Sequence, residues 1–348
     1  MAGRAHMKVR IEAFRGSAAE WDEFVRARAG WTHFHLHGWR QVMQGALGHQ
    51  CIYLAARNER NELSGVLPLV RVRSIVFGHF LVSMPFLNYG GPLGEDEAVR
   101  ALVAHACDVA RRDGVKLLEL RSPAPLPIDL PVSHRKITVL LDLPEGGSDA
   151  VWKRLDAKVR NQVRRPQKEG VTVRFGADQV DPFFEVFSRH MRDLGTPTQS
   201  VRLFQLIAAV FPDDAWFGCA YLGDKPIAGG AGFLWGREFE MTWAASLREH
   251  SRIAPNMLIY WSFMERATRQ GVRVFNFGRC TPESGTHKFK RQWGGHDQPL
   301  WWYSQSSVAG AKTPSPDDGA FSWGPRMWQK LPESVANVLG PRIVRYLP

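Results

Sequence analysis

Residues 271–295, GVRVFNFGRCTPESGTHKFKRQWGG, read as a buried strand running into a loop crowded with Gly, Thr, Cys, His, Lys, Arg and Trp. A loop that only reversed the chain would not need such chemistry. Cys280 and His287 invite a nucleophile-and-base reading, which requires a thiol of lowered pKa and a positioned imidazole. A second set lies in WKRLDAKVRNQVRRPQK, where Lys153, Arg154, Lys158, Arg160, Arg164, Arg165 and Lys168 face Asp156 as the only acid. They surround an apolar stripe of Trp152, Leu155, Val159 and Val163 at helical spacing. Such a helix is either a solvated face or a binding face. In the second case Arg160 and Arg164, one turn apart, clamp a phosphate or carboxylate through charge-assisted forks. A third set, HFHLH, would align His33, His35 and His37 on one side of a strand, but no acid stands beside them to favour a metal.

The elements that must position these groups occur twice. ARRDGVKLLEL (110–120) and ATRQGVRVFNF (267–277) match at a constant shift, 271 − 114 = 157, a period that means duplicated domains rather than a solenoid. In both copies a hairpin with a polar turn comes first, CIYLAARNERNELSGVLPLV or CAYLGDKPIAGGAGFLW. An apolar strand follows, then an amphipathic helix ending at Gly114 or Gly271, where a left-handed residue closes a helix, and then a final strand. Between the copies, RSPAPLPIDLPVSHRK is a proline-rich extended connector. HMRDLGTPTQS (190–200) is a helix end and turn, with positive φ available at Gly195 and a stop at Pro197. In APNMLIYWSFMER, Asn256 is the N-cap candidate, and Met257, Tyr260, Trp261 and Met264 suit a core.

With 348 residues the chain has room for two domains, and 44% hydrophobic with 23% charged residues is the composition of a soluble globular protein. The scattered Cys51, Cys107, Cys219 and Cys280 form no C-x-x-C pair and suit a reducing compartment. A net charge of +11 favours an acidic partner: a phosphorylated small molecule, a nucleic acid or an anionic membrane face. MAGRAHMKVR lacks the apolar core of a signal peptide, and no window reaches the roughly 18 apolar residues of a membrane span. A cytoplasmic location is expected. The tail WGPRMWQKLPESVANVLGPRIVRYLP mixes aromatic and basic residues over two short amphipathic helices, which either dock on the protein or lie on a membrane interface.

A meander, a crossover helix and a closing strand resemble the GNAT acyltransferase fold. Two in tandem, with a basic helical segment before the second, resemble the Fem family of aminoacyl and acyl transferases, in particular the FemAB-like proteins associated with PEP-CTERM/exosortase and exopolysaccharide systems. The resemblance spans about Phe34 to Trp293 and rests on HLHGWRQVMQGALGH, GVLPLVRVRS, LVSMPFLNYGGPL, KVRNQVRRPQKEGV, MRDLGTPTQS and FNFGRCTPESGTHKFKRQWG in family order. The chain departs from the family at Asn276, usually acidic, at Cys280, usually Ser, and at His287, usually the second Gly of a Gly-Thr-Gly. The Q/R-x-x-G-x-G/A loop that grips a coenzyme A pyrophosphate is replaced by LREHSRIAPN.

The resemblance implies an α+β chain of tandem GNAT-like domains at 7–140 and 141–303; after them the small, polar SQSSVAGAKTPSPDDGA reads as a flexible linker, 304–320, ahead of the amphipathic tail at 321–348. The resemblance places the active cleft in the second domain and implies direct transfer, against a Cys280 covalent step. Phe289 and Lys290 align with a Phe-Lys pair lining the Fem cleft, which makes Lys290 the cation for a tetrahedral oxyanion. The 190–200 loop borders the cleft, so Asp193 or His190 would be the base. Arg160, Arg164, Thr196, Asn256, Tyr260, Arg279 and Phe289 would bind substrate, with the donor's phosphates received at the helix start near Asn256. The donor would be acyl-CoA or aminoacyl-tRNA, without a metal. The acceptor would be an amine or hydroxyl of an anionic or lipid-linked envelope or exopolysaccharide precursor. Peripheral contact with the inner membrane is a further expectation. Two rivals stand beside this reading: a non-catalytic scaffold of a polysaccharide assembly, and a nucleic-acid-binding module.

Overall fold

The computed structural model describes residues 9–74, 78–307 and 324–346. They divide into two compact units. The first runs to His134 and regains the chain from Pro299, with the last residues from Arg345; the second is Arg135–Gln298 with the C-terminal segment up to Val344.

Each unit is built on one mixed sheet, and the two sheets share an order. In the first it is Arg10–Ala13, Gln50–Arg57, Leu63–Ser74, Gly78–Val82, Leu117–Ser122, Trp301–Ser306, Val132–Ser133. In the second it is Thr172–Phe175, Ala215–Leu222, Lys225–Trp235, Glu238–Ser246, Val274–Cys280, Ile137–Asp142, His296–Pro299. Both begin as an antiparallel meander and then hold one parallel pair, joined by a crossover helix, Asp96–Arg112 or Pro255–Arg269. Those helices end 157 residues apart, and Gly114 (φ +62) and Gly271 (φ +73) turn the chain behind them, as the repeat predicts. A left-handed backbone carries no Cβ penalty only at glycine.

The penultimate strand of each sheet follows the other half in sequence. The domain boundary expected at 140 falls inside Ile137–Asp142, a strand of the second sheet, and the one expected at 303 falls inside Trp301–Ser306, a strand of the first. Residues 308–320 of the expected linker lie outside the described residues, as do residues 1–8 of the N-terminal segment and 321–323 and 347–348 of the tail. The tail does form two helices, Gly324–Trp328 and Glu333–Val344.

In the second unit Pro255–Arg269 packs its apolar side onto one sheet face, where Phe239, Met241, Phe263, Phe275 and Phe277 form the core. Helix Ala157–Lys168 lies against it through Val159 and Val163. The basic segment is two helices, not one: Gly147–Arg154 stops at Leu155, and Asp156 caps Ala157–Lys168 by accepting the Lys158 N–H. An acid at this position satisfies an orphan amide and faces the helix dipole, so it starts a new helix instead of continuing the old one. On the other sheet face, Val180–Asp193 and Val201–Val210 bury Phe183, Phe187 and Phe204 against Phe217, Phe233 and Trp243.

Candidate active site

Strands Glu238–Ser246 and Val274–Cys280 pair in parallel only through three rungs, the last being Glu240 with Asn276. Beyond it they part, and the second unit opens there. Two irregularities shape the opening. Between the rungs Ala231 to Trp243 and Phe233 to Glu240, the strand Glu238–Ser246 carries one residue more than its antiparallel neighbour, a bulge at Met241–Thr242 that leaves one residue out of the ladder. Gly232 lies opposite, where a Cβ would come within 2.1 Å of the Glu240 carbonyl oxygen. On the closing strand, the register against Ile137–Asp142 shifts between Asn276 and Arg279, with Gly278 at φ +72.

Asn276 ties this corner together. Its Oδ1 accepts from Thr138 Oγ1 (2.5 Å) and from the Gly278 N–H (2.8 Å), and its Nδ2 donates to Glu238 Oε1 (2.8 Å). Burial raises the Glu238 carboxyl to about 7, against the lowering effect of the Asn276 bond. The fully buried Glu240 accepts from Thr242 Oγ1 at 3.0 Å. Local sequence did not single out Thr138, Glu238 or Glu240. The available signal was two acids on alternate residues of an otherwise apolar strand, which places both on one sheet face.

Lys290 completes the opening. The stretch after Cys280 is not the expected loop throughout: Ser284 caps a short helix, Gly285–Arg291, by accepting the His287 N–H at 3.1 Å. Its last turn carries Lys290 inward, 4% exposed. The ammonium donates to the carbonyls of Gly278 (2.7 Å) and Arg279 (2.9 Å), leaving one N–H of three uncommitted. Burial lowers its pKa to about 8, while Cys280 and Glu240 pull it back up, which also places Glu240 within its electrostatic reach. The group is thus a largely protonated, desolvated cation at neutral pH.

Around Lys290 the structure gathers three of the predicted residues. Tyr260 lies against Phe289 (5.1 Å between rings), Phe277 (5.6 Å) and Trp293 (6.2 Å), and its hydroxyl pKa is pushed up by burial. Arg279 contributes its backbone carbonyl to Lys290. Asn256 is not the N-cap. The helix starts at Pro255 behind a left-handed Ala254 (φ +53), because proline suits the first helical position, and Asn256 falls inside the first turn. Where the glycine-rich loop is missing, Arg248–Ile253 forms a 3-10 turn that leaves Arg248 and Arg252 exposed before this helix.

The other candidates sit elsewhere in the unit. The Arg160 guanidinium caps the Leu155 carbonyl, and that of Arg164 lies 5.2 Å over the Trp152 ring, which in turn meets Trp261 edge-on. Arg160 and Arg164 therefore have local roles at the break between the two basic helices. Asp193 and Thr196 lie at the end of Val180–Asp193, the helix on the opposite sheet face. The Asp193 carboxylate is gripped by Arg192, and the Thr196 N–H closes the helix on the Met191 carbonyl at 2.9 Å. His190, one turn earlier, bonds through Nδ1 to the Ser246 carbonyl (3.0 Å), on the strand that forms the other arm of the opening. Burial lowers its pKa. It is neutral at physiological pH with Nδ1 as the donor, and Nε2 keeps a lone pair.

Two readings find no support. Cys280 is buried with a raised thiol pKa, while His287 accepts from the Glu283 N–H and turns its Nε2 to Asp297 at 3.0 Å, so no Cys-His dyad forms. In HFHLH, His33–His35 forms a 3-10 turn rather than a strand, and His37 lies beyond it. His33 and His35 are buried, with pKa values lowered to about 3 and about 4 by burial, and they bond Trp39 and Gly91. Among the described residues no group of side chains could hold a metal ion.

A mixed sheet with a parallel pair that parts beside a crossover helix, repeated once, defines a tandem GNAT fold. Residues 153–291 match the family model described as "Acetyltransferase (GNAT) domain", so the second unit carries a GNAT acetyltransferase domain. The fold is that of FemX, at a TM-score of 0.64 and 14% identity over 85% of this chain and 97% of that one. A tandem GNAT protein from the clavulanic acid biosynthesis pathway is similar at 0.54 and 14% over 87% and 100%. The C-terminal domain of a putative lysylphosphatidylglycerol synthetase from Agrobacterium fabrum is similar at 0.56 and 13% over 83% and 92%. No curated protein matches the chain in sequence. The chain has the fold of a Fem-type double GNAT.

Proposed function

We propose that the second unit transfers an acyl or aminoacyl group directly from an activated donor to an amine or hydroxyl of a cell-envelope or exopolysaccharide precursor. The observation that carries this reading is Lys290, a buried ammonium held at the strand opening by two carbonyls with one N–H in hand. Attack on a thioester or ester carbonyl gives a tetrahedral oxyanion. A fixed cation stabilises that charge without solvent reorganisation, and one such donor is worth about 10²–10³ in rate. His190 is the better base: its neutral imidazole has a set tautomer and a lone pair at Nε2, whereas the Asp193 carboxylate is engaged by Arg192. The proton of the attacking amine or hydroxyl passes to that nitrogen as the new carbon–nitrogen or carbon–oxygen bond forms; collapse of the oxyanion then breaks the bond to the donor, and the departing thiolate or alkoxide takes that proton back from the imidazolium.

The first unit would serve structure. At the matching opening, segment 83–91 crosses it, with Ser83 and Gly91 N–H groups on the Glu119 and Arg121 carbonyls, and a buried Arg121 to Glu119 ion pair fills the space.

The test is single-turnover transfer with a panel of acyl-CoA and aminoacyl-tRNA donors, comparing the wild type with Lys290→Met. Transfer by the wild type and a loss of at least about 100-fold in a variant that remains folded are expected. No transfer and no thermal shift with any donor would favour the non-catalytic scaffold. Donor binding by bare tRNA, with steep salt dependence and no need for the charged end, would favour a nucleic-acid module.

A further inference from the structure

Among the described residues, six large apolar side chains are exposed, and five of them, Leu194, Met327, Val335, Val338 and Leu339, belong to one region of the second unit. Contacts join them. The C-terminal helix Glu333–Val344 packs on Val180–Asp193, and Gly340 sits so close to Thr198 that a Cβ would come within 2.9 Å of its carbonyl oxygen. Pro325 rests on Gly195 in the same way, and the Gln329 side chain donates to the Asp193 carbonyl at 3.1 Å. The surface at the end of that helix is therefore continuous with the tail.

The C-terminal helix is turned against ordinary amphipathic logic. Its buried residues are the small Ala336 and Gly340, while Val335, Val338 and Leu339 face outward at helical spacing with Arg342. Its acid is neutralised inward, since Glu333 pairs with Arg189 (3.2 Å) and Arg192 (3.3 Å). On the outer side Arg326, Lys330 and Arg342 are exposed, and no ion pair engages them among the described residues. A region that exposes apolar side chains together with cations outside any ion pair among the described residues suits a surface that is apolar below and anionic above.

We infer that this face, formed by Leu194 and the two C-terminal helices, docks on an anionic lipid bilayer. Nucleic acid would match the cations and leave the apolar side chains in water; a neutral apolar partner would match the side chains and leave the cations idle. The helix is too short and too polar to span, and no described helix crosses a membrane, so the contact is interfacial. The face lies at the helix end that carries His190, so docking brings the histidine arm of the opening to the bilayer, where a lipid-linked acceptor would be presented.

The test is co-sedimentation of the whole chain with phosphatidylcholine vesicles, with and without phosphatidylglycerol. It needs neither donor nor acceptor, so its outcome is separate from that of the transfer assay. Sedimentation only with the anionic vesicles is expected, weakened by salt and by on the order of fivefold for each of Arg326→Gln and Arg342→Gln. Val338→Asp and Leu339→Asp, both on exposed positions, should abolish it at unchanged melting temperature. Equal binding by the folded variants, or none by the wild type, overturns the proposal. So does a wild-type dimer that these aspartates dissociate, since the face would then be covered by a second copy.

Discussion

Glu119 and Asn276 hold the same rung of their two sheets, 157 residues apart: each is the last residue of its closing strand to pair with the parallel neighbour, Glu119 with Val82 and Asn276 with Glu240. In the first unit the carboxylate binds Arg121 two residues on, Nε to Oε1 at 2.8 Å, and Arg121 also donates to the Leu87 carbonyl and stacks over Trp302. In the second the carboxamide binds Thr138, Glu238 and Gly278, and the cation arrives from Lys290 instead. The same rung thus yields a closed ion pair in one unit and a cation with a spare donor in the other.

Removing one partner of the closed pair should be costly, because the other buried charge loses the ion pair that offsets its desolvation. Arg121→Met is expected to destabilise the first unit by about 3–5 kcal/mol, and Glu119→Leu with Arg121→Met to recover most of it. Urea unfolding of the three proteins checks this, and a double variant no better than the single would contradict it.

Lys290 sets opposite pH trends for activity and stability. Its folded pKa of about 8 lies below its ordinary value of 10.5, so the cost of burying the charge is present below pH 8 and is relieved between 8 and 10.5. Stability should rise over that range relative to Lys290→Met. Transfer needs the ammonium and should fall through an apparent pKa near 8. A pH profile of kcat/KM beside one of melting temperature measures both, and a flat rate profile from 7 to 9 would remove Lys290 as the charged stabiliser.

Much of the fold was legible because its signals are local: hairpin turns, helix-ending glycines and the repeated GVKLLEL and GVRVFNF strands each stand in a few consecutive residues. The Phe289 and Lys290 corner was legible only through family resemblance. Thr138 and the strand Ile137–Asp142 were not legible, because they join the second sheet from a segment written before it, through pairing 138 residues away. The bulge facing Gly232 was hidden for a related reason, since a register shift belongs to two strands together and neither shows it alone. The break at Asp156 was readable as an N-cap, but the apolar stripe runs straight through it.

Glu238 should make the second unit less stable as pH rises. Its folded pKa of about 7 exceeds 4.5, so its contribution is full below 4.5 and lost as pH climbs through 7. Glu238→Gln imitates the protonated acid and keeps an acceptor for Asn276 Nδ2. The variant should match the wild type near pH 4.5 and exceed it by roughly 2 kcal/mol above pH 7.5, allowing for partial exposure. Chemical denaturation at the two pH values decides it, with equal differences at both counting against the buried carboxyl.

His190 and Asp193 stand three residues apart on one helix, yet the structure prepares them differently. A base must offer a lone pair at working pH. The His190 Nδ1 proton is committed to Ser246, its pKa is lowered by burial, and Nε2 is left as the acceptor. The Asp193 oxygen facing Arg192 takes two guanidinium N–H groups, at 2.6 and 3.1 Å. His190→Gln should therefore lower kcat by about 10²–10⁴ with little change in KM, and remove the acidic limb of the pH profile, which in the wild type lies below the ordinary histidine range. Asp193→Asn keeps the helix end and should leave the rate within about threefold, since losing one exposed-side ion pair costs no more than ~1 kcal/mol. Steady-state kinetics on both variants separate the two assignments: a large loss in Asp193→Asn with His190→Gln unimpaired would return the role of base to the carboxylate.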